Sequence, residues 1–441
     1  MEDKDSMGDE DSMDDEDSMD NEESDRRLLS DKLNIWRHDM PDSLYHSAAR
    51  SRACSLMGQP HVLDLACKWL EGCQDSHQCF AQANNAWYPS RLLDVSVDGI
   101  IRLVTTAKEH VTGHYATLSH CWGPGKFLVL NPDNISQFSA GYPLEKIPRT
   151  FQEAVQVIRH LKIRYLWIDS YCIIQGDSDD AREDWNREAQ KMCRVYTNSF
   201  LNIGSAYSKN PHDGLFQRRK VEEILNNVLL KWRPSAVKDE SFYNICFDDG
   251  FIPFTRFGPL FEAFKHLSEC ALSKRAWVIQ ETVLSPRMLS FTGKQLIWQC
   301  SEAASCETAP AQSRKSILEV ERWSSFWAAE NDMAPPLSEE KCIDEMPKLM
   351  RRWFHISTKY SEAKLSYPNK DRFKALAGVG ERFSQLTNRA YRYGYFPLYT
   401  KLEAFGLYYS VLSEAGATGG WVSSRSPGQE IGLGVPFSSG Y

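Results

Sequence analysis

The sequence predicts an α/β fold: a small parallel sheet flanked by helices, with mostly helical N- and C-terminal flanks and a β-hairpin after the central domain. Three observations carry this. The apolar string YATLS starts at Tyr115 and runs into the polar HCWG ending at Gly123, and a second string, YLWID, starts at Tyr165. Both read as buried strands that end on a polar edge. Between them, IPRTFQEAVQVIRHL (147–161) repeats Phe151, Ala154, Val155, Ile158 and Leu161 at helical spacing, and Thr150 and Glu153 stand at capping-box spacing. A strand, a helix and a strand in that order predict parallel pairing through a right-handed crossover.

The remaining elements follow along the chain. From Leu28 to about Ser90 the pattern is helical with loops, including HVLDLACKWLEGC. PSRLLDV from Pro89 and a hairpin-like pass through Asp98, Gly99 and IIRLV then lead into the centre. After YLWID, GDSDDAREDWNREAQKMCRVY offers Asp180 and Glu183 as a second capping pair. Trp185, Ala189, Met192, Cys193 and Tyr196 fall on one helical face of it. SFLNIGSA from Ser199 is a third strand. An insertion at about 209–258 begins polar and turns aromatic in FYNICFDDGFIPFTRF, and a helix starts near Pro259. RMLSFTGKQLIWQC alternates on both sides of Thr292 and Gly293, which is hairpin chemistry. From Ser316 to about Leu412 the pattern is helical, with Trp323, Phe326 and Trp327 grouped and Pro335 and Pro336 marking a linker. The organisation is a disordered acidic tail at 1–27, a helical flank at 28–110, the central domain at 111–285, a hairpin and helical region at 286–412, and an irregular tail at 413–441.

Charge is uneven along the chain. Residues 1–25 hold 14 acids and one Lys, so −13 of charge sits in a chain whose net is −8, leaving +5 on the rest. The head repeats Asp-Ser-Met and holds no aromatic or β-branched residue, a composition that buries too little apolar area to order. It has none of the basic start and apolar core of a secretory signal, and no run of about 18 apolar residues occurs to span a membrane. Lys and Arg are scattered except for QRRK at Gln217 and RRW at Arg351, which argues against nucleic acid. Twelve cysteines without regular pairing point to reduced thiols and a cytoplasmic chain. Cys67, Cys73, His77 and Cys79, in CKWLEGCQDSHQC, form a Cys3His set acceptable to zinc, but no Cys-x-x-Cys pair is present and ordinary packing of a helix end is the favoured reading.

In open α/β sheets, ligands bind outside the carboxyl ends of the strands. Those ends carry Ser119, His120, Cys121 and Trp122 after the first strand, and Asp169 and Ser170 after the second. Gly123 and Gly125 leave room for backbone amides to approach a phosphate, but the P-loop and three-glycine fingerprints are absent. Cys121 and His120 are neighbours on a strand, where side chains alternate between faces, so they do not make a thiol hydrolase by themselves.

YATLSHCWG, IPRTFQEAV, YLWIDSYCIIQGDSDD and the helix with Met192 and Tyr196 together resemble the fungal heterokaryon-incompatibility (HET) domain. SKRAWVIQETVLSPRMLSF, from Ser273, looks like its closing motif, W-x-x-Q-E-x-x-L-S-x-R. His120 stands where Tyr is more frequent, and Ala276 where Gly is. The resemblance implies a cytosolic self/non-self recognition and cell-death module working through protein partners or self-association. The HET domain is itself distantly similar to TIR domains, several of which cleave the glycosidic bond of NAD. That likeness implies NAD as a substrate, Glu281 as the catalytic carboxylate four residues after Trp277, Trp122 or Trp277 stacked on a ring, and Asp169 orienting a hydroxyl near Ser119 and Gly123. Each residue also has a structural reading. Glu281 can pair with Arg275 or Arg287, Asp169 can cap backbone amides, and the tryptophans can pack in a core. A non-catalytic adaptor that assembles a death-signalling complex needs no active carboxylate.

Overall fold

The computed structural model describes residues 41–77, 79, 87–221, 258–313, 353, 355–365 and 374–387, together with short strands at 33–38, 227–232, 241–247, 397–398 and 431–432. The acidic tail 1–27, the group Trp323, Phe326 and Trp327, the prolines 335 and 336, and nearly all of 413–441 lie outside the described residues.

In chain order the elements are β1 (Leu33–His38), α1 (Asp42–Arg52), α2 (Pro60–Ser76), β2 (Arg91–Asp94), β3 (Ile100–Thr105), β4 (Tyr115–Ser119), α3 (Ile135–Ala140), β5 (Tyr142–Pro143), α4 (Arg149–His160), β6 (Tyr165–Trp167), α5 (Asp169–Cys172), α6 (Asp179–Ala189), α7 (Met192–Thr197) and β7 (Leu201–Gly204). There follow β8 (Asn227–Trp232), β9 (Ser241–Phe247), α8 (Gly258–Glu269), α9 (Ala276–Leu284), β10 (Arg287–Phe291), β11 (Leu296–Cys300), β12 (Ala304–Cys306), β13 (Ala309–Ser313) and α10 (Lys374–Thr387).

One mixed sheet of ten strands runs in the order β13-β12-β11-β10-β7-β4-β6-β2-β3-β5. Its centre, β10-β7-β4-β6, is parallel. Every outer pairing is antiparallel, so the expectation of a small parallel sheet is corrected to a larger and mostly antiparallel one. The reason is local turn chemistry at both margins. Gly293 at φ +84° and Gly99 at φ +73° sit in short reversals that fold adjacent segments into hairpins, which can only pair antiparallel. The predicted hairpin 287–300 is thus an extension of the sheet. Within the insertion, β9 pairs with both β8 and β1 in a separate three-stranded antiparallel sheet.

Helix α4 buries Phe151, Ala154, Val155, Val157 and Ile158, the apolar stripe that its spacing predicts. Its expected capping box is not one. Pro148 stands at the N-cap with no side-chain cap, so Thr150 and Glu153 are free for another role. Thr150 Oγ1 accepts from the Gly214 N–H at 3.0 Å, and Glu153 Oε2 accepts from the N–H groups of Leu215 at 2.5 Å and Phe216 at 2.8 Å. The pair therefore tethers the start of the insertion to the sheet's crossover helix. Likewise Ser178, not Asp180, caps α6, its Oγ accepting from Ala181 N at 3.3 Å. Among the described residues no helix is long and apolar enough to cross a membrane.

Candidate functional site

The carboxyl ends of β4, β6 and β7 meet α7 and α9 in a connected polar cluster. Ser119 closes β4 and is fully buried; its Oγ exchanges hydrogen bonds with the Asn202 side-chain amide of β7 at 3.0 and 3.2 Å. The Asn202 amide also reaches the Glu281 backbone carbonyl at 3.5 Å, which ties α9 to the strand ends. After β6 the chain turns at once into α5, and Asp169 projects at this turn with its side chain 27% exposed. Its carboxylate accepts from Trp122 Nε1 at 2.8 Å and from the Ser170 N–H at 2.7 Å. Asp169 is therefore both a cap, as the structural reading held, and the anchor of the Trp122 ring.

His120 Nδ1 lies 3.7 Å from the Asp169 carboxylate. Burial drives the imidazole down to about 4, against the opposing pull of Asp169, so it is neutral at neutral pH. Arg275, just before α9, donates to the His120 backbone carbonyl. Glu281 is 6% exposed. Burial pushes its carboxyl up to about 7, with the Arg275 charge and Ser119 pulling the other way and the Asp169 charge adding to the rise. Among the described residues its Oε2 has no hydrogen-bond partner, and no ion pair joins Glu281 to Arg275 or Arg287. Tyr196 of α7 is buried beside it, its hydroxyl held well above the usual range by burial and then by the Glu281 charge.

The other polar residues of the closing motif are engaged in packing. Gln280 Oε1 accepts from the Gly378 N–H of α10 at 3.1 Å, and Ser285 Oγ donates to the Glu281 carbonyl at 2.6 Å. Trp277 is half-buried, edge-to-face on Trp185 of α6 with centroids 6.5 Å apart, and among the described residues no hydrogen bond or ring contact joins it to Asp169 or Trp122. Gly123 sits at φ +67°, and a Cβ there would lie 2.6 Å from Asn210 Cβ, so the glycine allows the 209–210 loop to approach. The structure thus gathers Ser119, Trp122, Asp169 and Glu281, and sets Trp277 against a neighbouring helix. Asn202 joins the site unannounced, and Arg275, expected only as an ion-pair partner of Glu281, joins it through the His120 carbonyl. The one sequence signal for Asn202 was an amide inside an otherwise apolar strand, where a buried polar group must find a partner.

A cleft of about 500 Å³ lies elsewhere, lined by Phe264, Leu267, Val278, Thr282, Met288 and Ile356. It faces the side of α9 that carries Val278 and Thr282, whereas Glu281 faces the strand ends.

In the zinc-candidate segment, Cys67 stands apart, its Sγ 3.9 Å from the His160 carbonyl. Cys73, His77 and Cys79 do come together, and the fourth member is Cys300 at the end of β11.

This arrangement defines an α/β domain with a buried acid and a partly exposed acid at the carboxyl edge of its parallel strands. Residues 115–281 match the model of the family described as heterokaryon incompatibility protein (HET). Over this span, from the first residue of β4 to Glu281, the chain is similar to that family. No curated protein and no solved structure matches the chain.

Proposed function

We propose that this chain acts in the cytoplasm in self/non-self recognition and programmed cell death, triggered by a protein partner or by self-association, and that its domain hydrolyses NAD in a TIR-like manner at the carboxyl edge. The observation that carries the reading is Glu281: a buried carboxyl with one oxygen unpartnered among the described residues, at a strand-end edge where α/β sheets bind ligands. In this reading the bond between ribose C1′ and the nicotinamide nitrogen breaks, and its electron pair passes to the pyridinium ring. Water adds to C1′ and a proton is released. The ribosyl cation-like transition state is met by the Glu281 carboxylate. Burial raises the Glu281 carboxyl at rest, and the cationic pyridinium arriving beside it lowers its pKa again and favours the carboxylate. Trp122, fixed through Asp169, offers a ring face for stacking, and the exposed part of the Asp169 carboxylate accepts from a ribose hydroxyl.

A second reading, a non-catalytic module that assembles a death-signalling complex, is favoured by a different observation. Glu281 is almost wholly enclosed, and the 500 Å³ cleft lies on the other face of its helix. NAD content and viability, measured together in cells expressing the chain or its Glu281→Gln form, separate the two. The enzymatic reading expects NAD loss and death with the native chain and neither with the variant. Death with NAD unchanged sinks it and leaves assembly.

A further inference from the structure

We propose that Cys73, His77, Cys79 and Cys300 bind a structural zinc ion that staples the end of α2 to the end of β11. The ligand atoms of these four residues all lie within 4.8 Å of one another, and Cys300 Sγ is 3.3 Å from His77 Nδ1. A tetrahedral site with zinc–sulfur bonds of about 2.3 Å sets its sulfurs about 3.8 Å apart, so the cluster needs only a small contraction to close on the ion. Three thiols and one imidazole are a ligand set that zinc accepts. A complete set of four protein ligands with no position left for water is the structural type and not the catalytic one.

The surroundings fit thiolates better than thiols. Arg287 Nε donates to Cys73 Sγ at 3.2 Å, and the Ala303 N–H donates to Cys300 Sγ at 3.2 Å. Such donors around the ligands are the outer contacts that fix and tune a metal centre. Three thiolates and a neutral imidazole around a divalent ion leave one net negative charge, which the buried Arg287 guanidinium balances. A disulfide would use two of the sulfurs and leave the third thiol and the imidazole facing it, and none of the three cysteines is disulfide-bonded here.

Local geometry prepares three of the ligands. Cys73 lies in the last turn of α2, and His77 is its C-cap, with its N–H bonded to the Cys73 carbonyl at 3.1 Å. Cys79 follows directly. The fourth ligand arrives from 223 residues away in sequence from His77. On binding zinc each thiol would release its proton to solvent, and because no such site exists in the unfolded chain the binding energy becomes folding energy.

The test is elemental analysis of the full chain, purified without a metal-binding tag and reconstituted with zinc after chelation. About one zinc per chain is expected, with Cys300→Ser reduced to background and Cys67→Ser unchanged. No zinc in the native chain overturns the proposal, as does zinc retained by Cys300→Ser and lost by Cys67→Ser. Because Cys300→Ser can fail to fold, the native chain is also loaded with cobalt. Intense visible bands of a tetrahedral thiolate site are expected, and a weak octahedral spectrum, or a disulfide among the three cysteines found by mass spectrometry, refutes the site.

Discussion

Replacing Glu281 by Gln should change how stability depends on pH, by an amount the structure sets. The carboxyl moves from an ordinary 4.5 to about 7 on folding because burial disfavours its charge. The native state therefore binds this proton more tightly than the unfolded state does. Its contribution is fully present below about pH 4.5 and is lost as pH rises through about 7. A shift of this size corresponds to on the order of 3 kcal/mol at 1.36 kcal/mol per unit. His120 opposes it over much of the same window: its folded value near 4 lies below the ordinary 6.5, so its contribution is present above 6.5 and lost as pH falls through about 4. The native chain alone can therefore show a nearly flat profile. The difference between native chain and Glu281→Gln removes the His120 part. The assay is urea unfolding followed by tryptophan fluorescence at several pH values. Gln is neutral throughout, so the variant should gain on the native chain by on the order of 3 kcal/mol between about pH 4.5 and pH 8. Parallel curves for the two proteins would refute the claim that Glu281 is buried as an acid. The same measurement reports whether the variant is folded at neutral pH, where its activity is compared.

Two further outcomes follow from packing. Gly123→Ala should cost about 1–3 kcal/mol, because it meets both an unfavourable positive φ and the Asn210 side chain; chemical denaturation reads the change, and an unaltered midpoint contradicts the close approach. Glu307→Ala should cost about 3–5 kcal/mol and lower the melting temperature by several degrees, because Glu307 is fully buried and accepts from Arg219, Ser51 and the Leu296 N–H. Restoring stability with a simultaneous apolar replacement of Arg219 would identify the unpaired buried cation as the cause.

What the sequence determined by itself is what neighbours in the chain decide. The 3.6-residue spacing of Phe151, Ala154, Val155 and Ile158 placed α4, the apolar runs at Tyr115 and Tyr165 placed β4 and β6, and Gly293 placed the β10–β11 reversal. The strings at Tyr115 and Tyr165 also pointed to the family whose model matches residues 115–281, since a motif needs no knowledge of partners. The tertiary structure decided what depends on groups far apart in sequence. Thr150 and Glu153 have the spacing of a cap, yet bind the 214–216 backbone 62 to 64 residues away. Cys67 looked interchangeable with Cys73 until β11 brought Cys300 to the cluster. Glu281 carries no mark in sequence of being buried, and its shifted carboxyl arises only when β4, α7 and α9 close around it. The physical reason is common to all three: φ, ψ and side-chain period are set over a few residues, whereas hydrogen-bond partners, ligand sets and desolvation are set by which surfaces exclude water from one another.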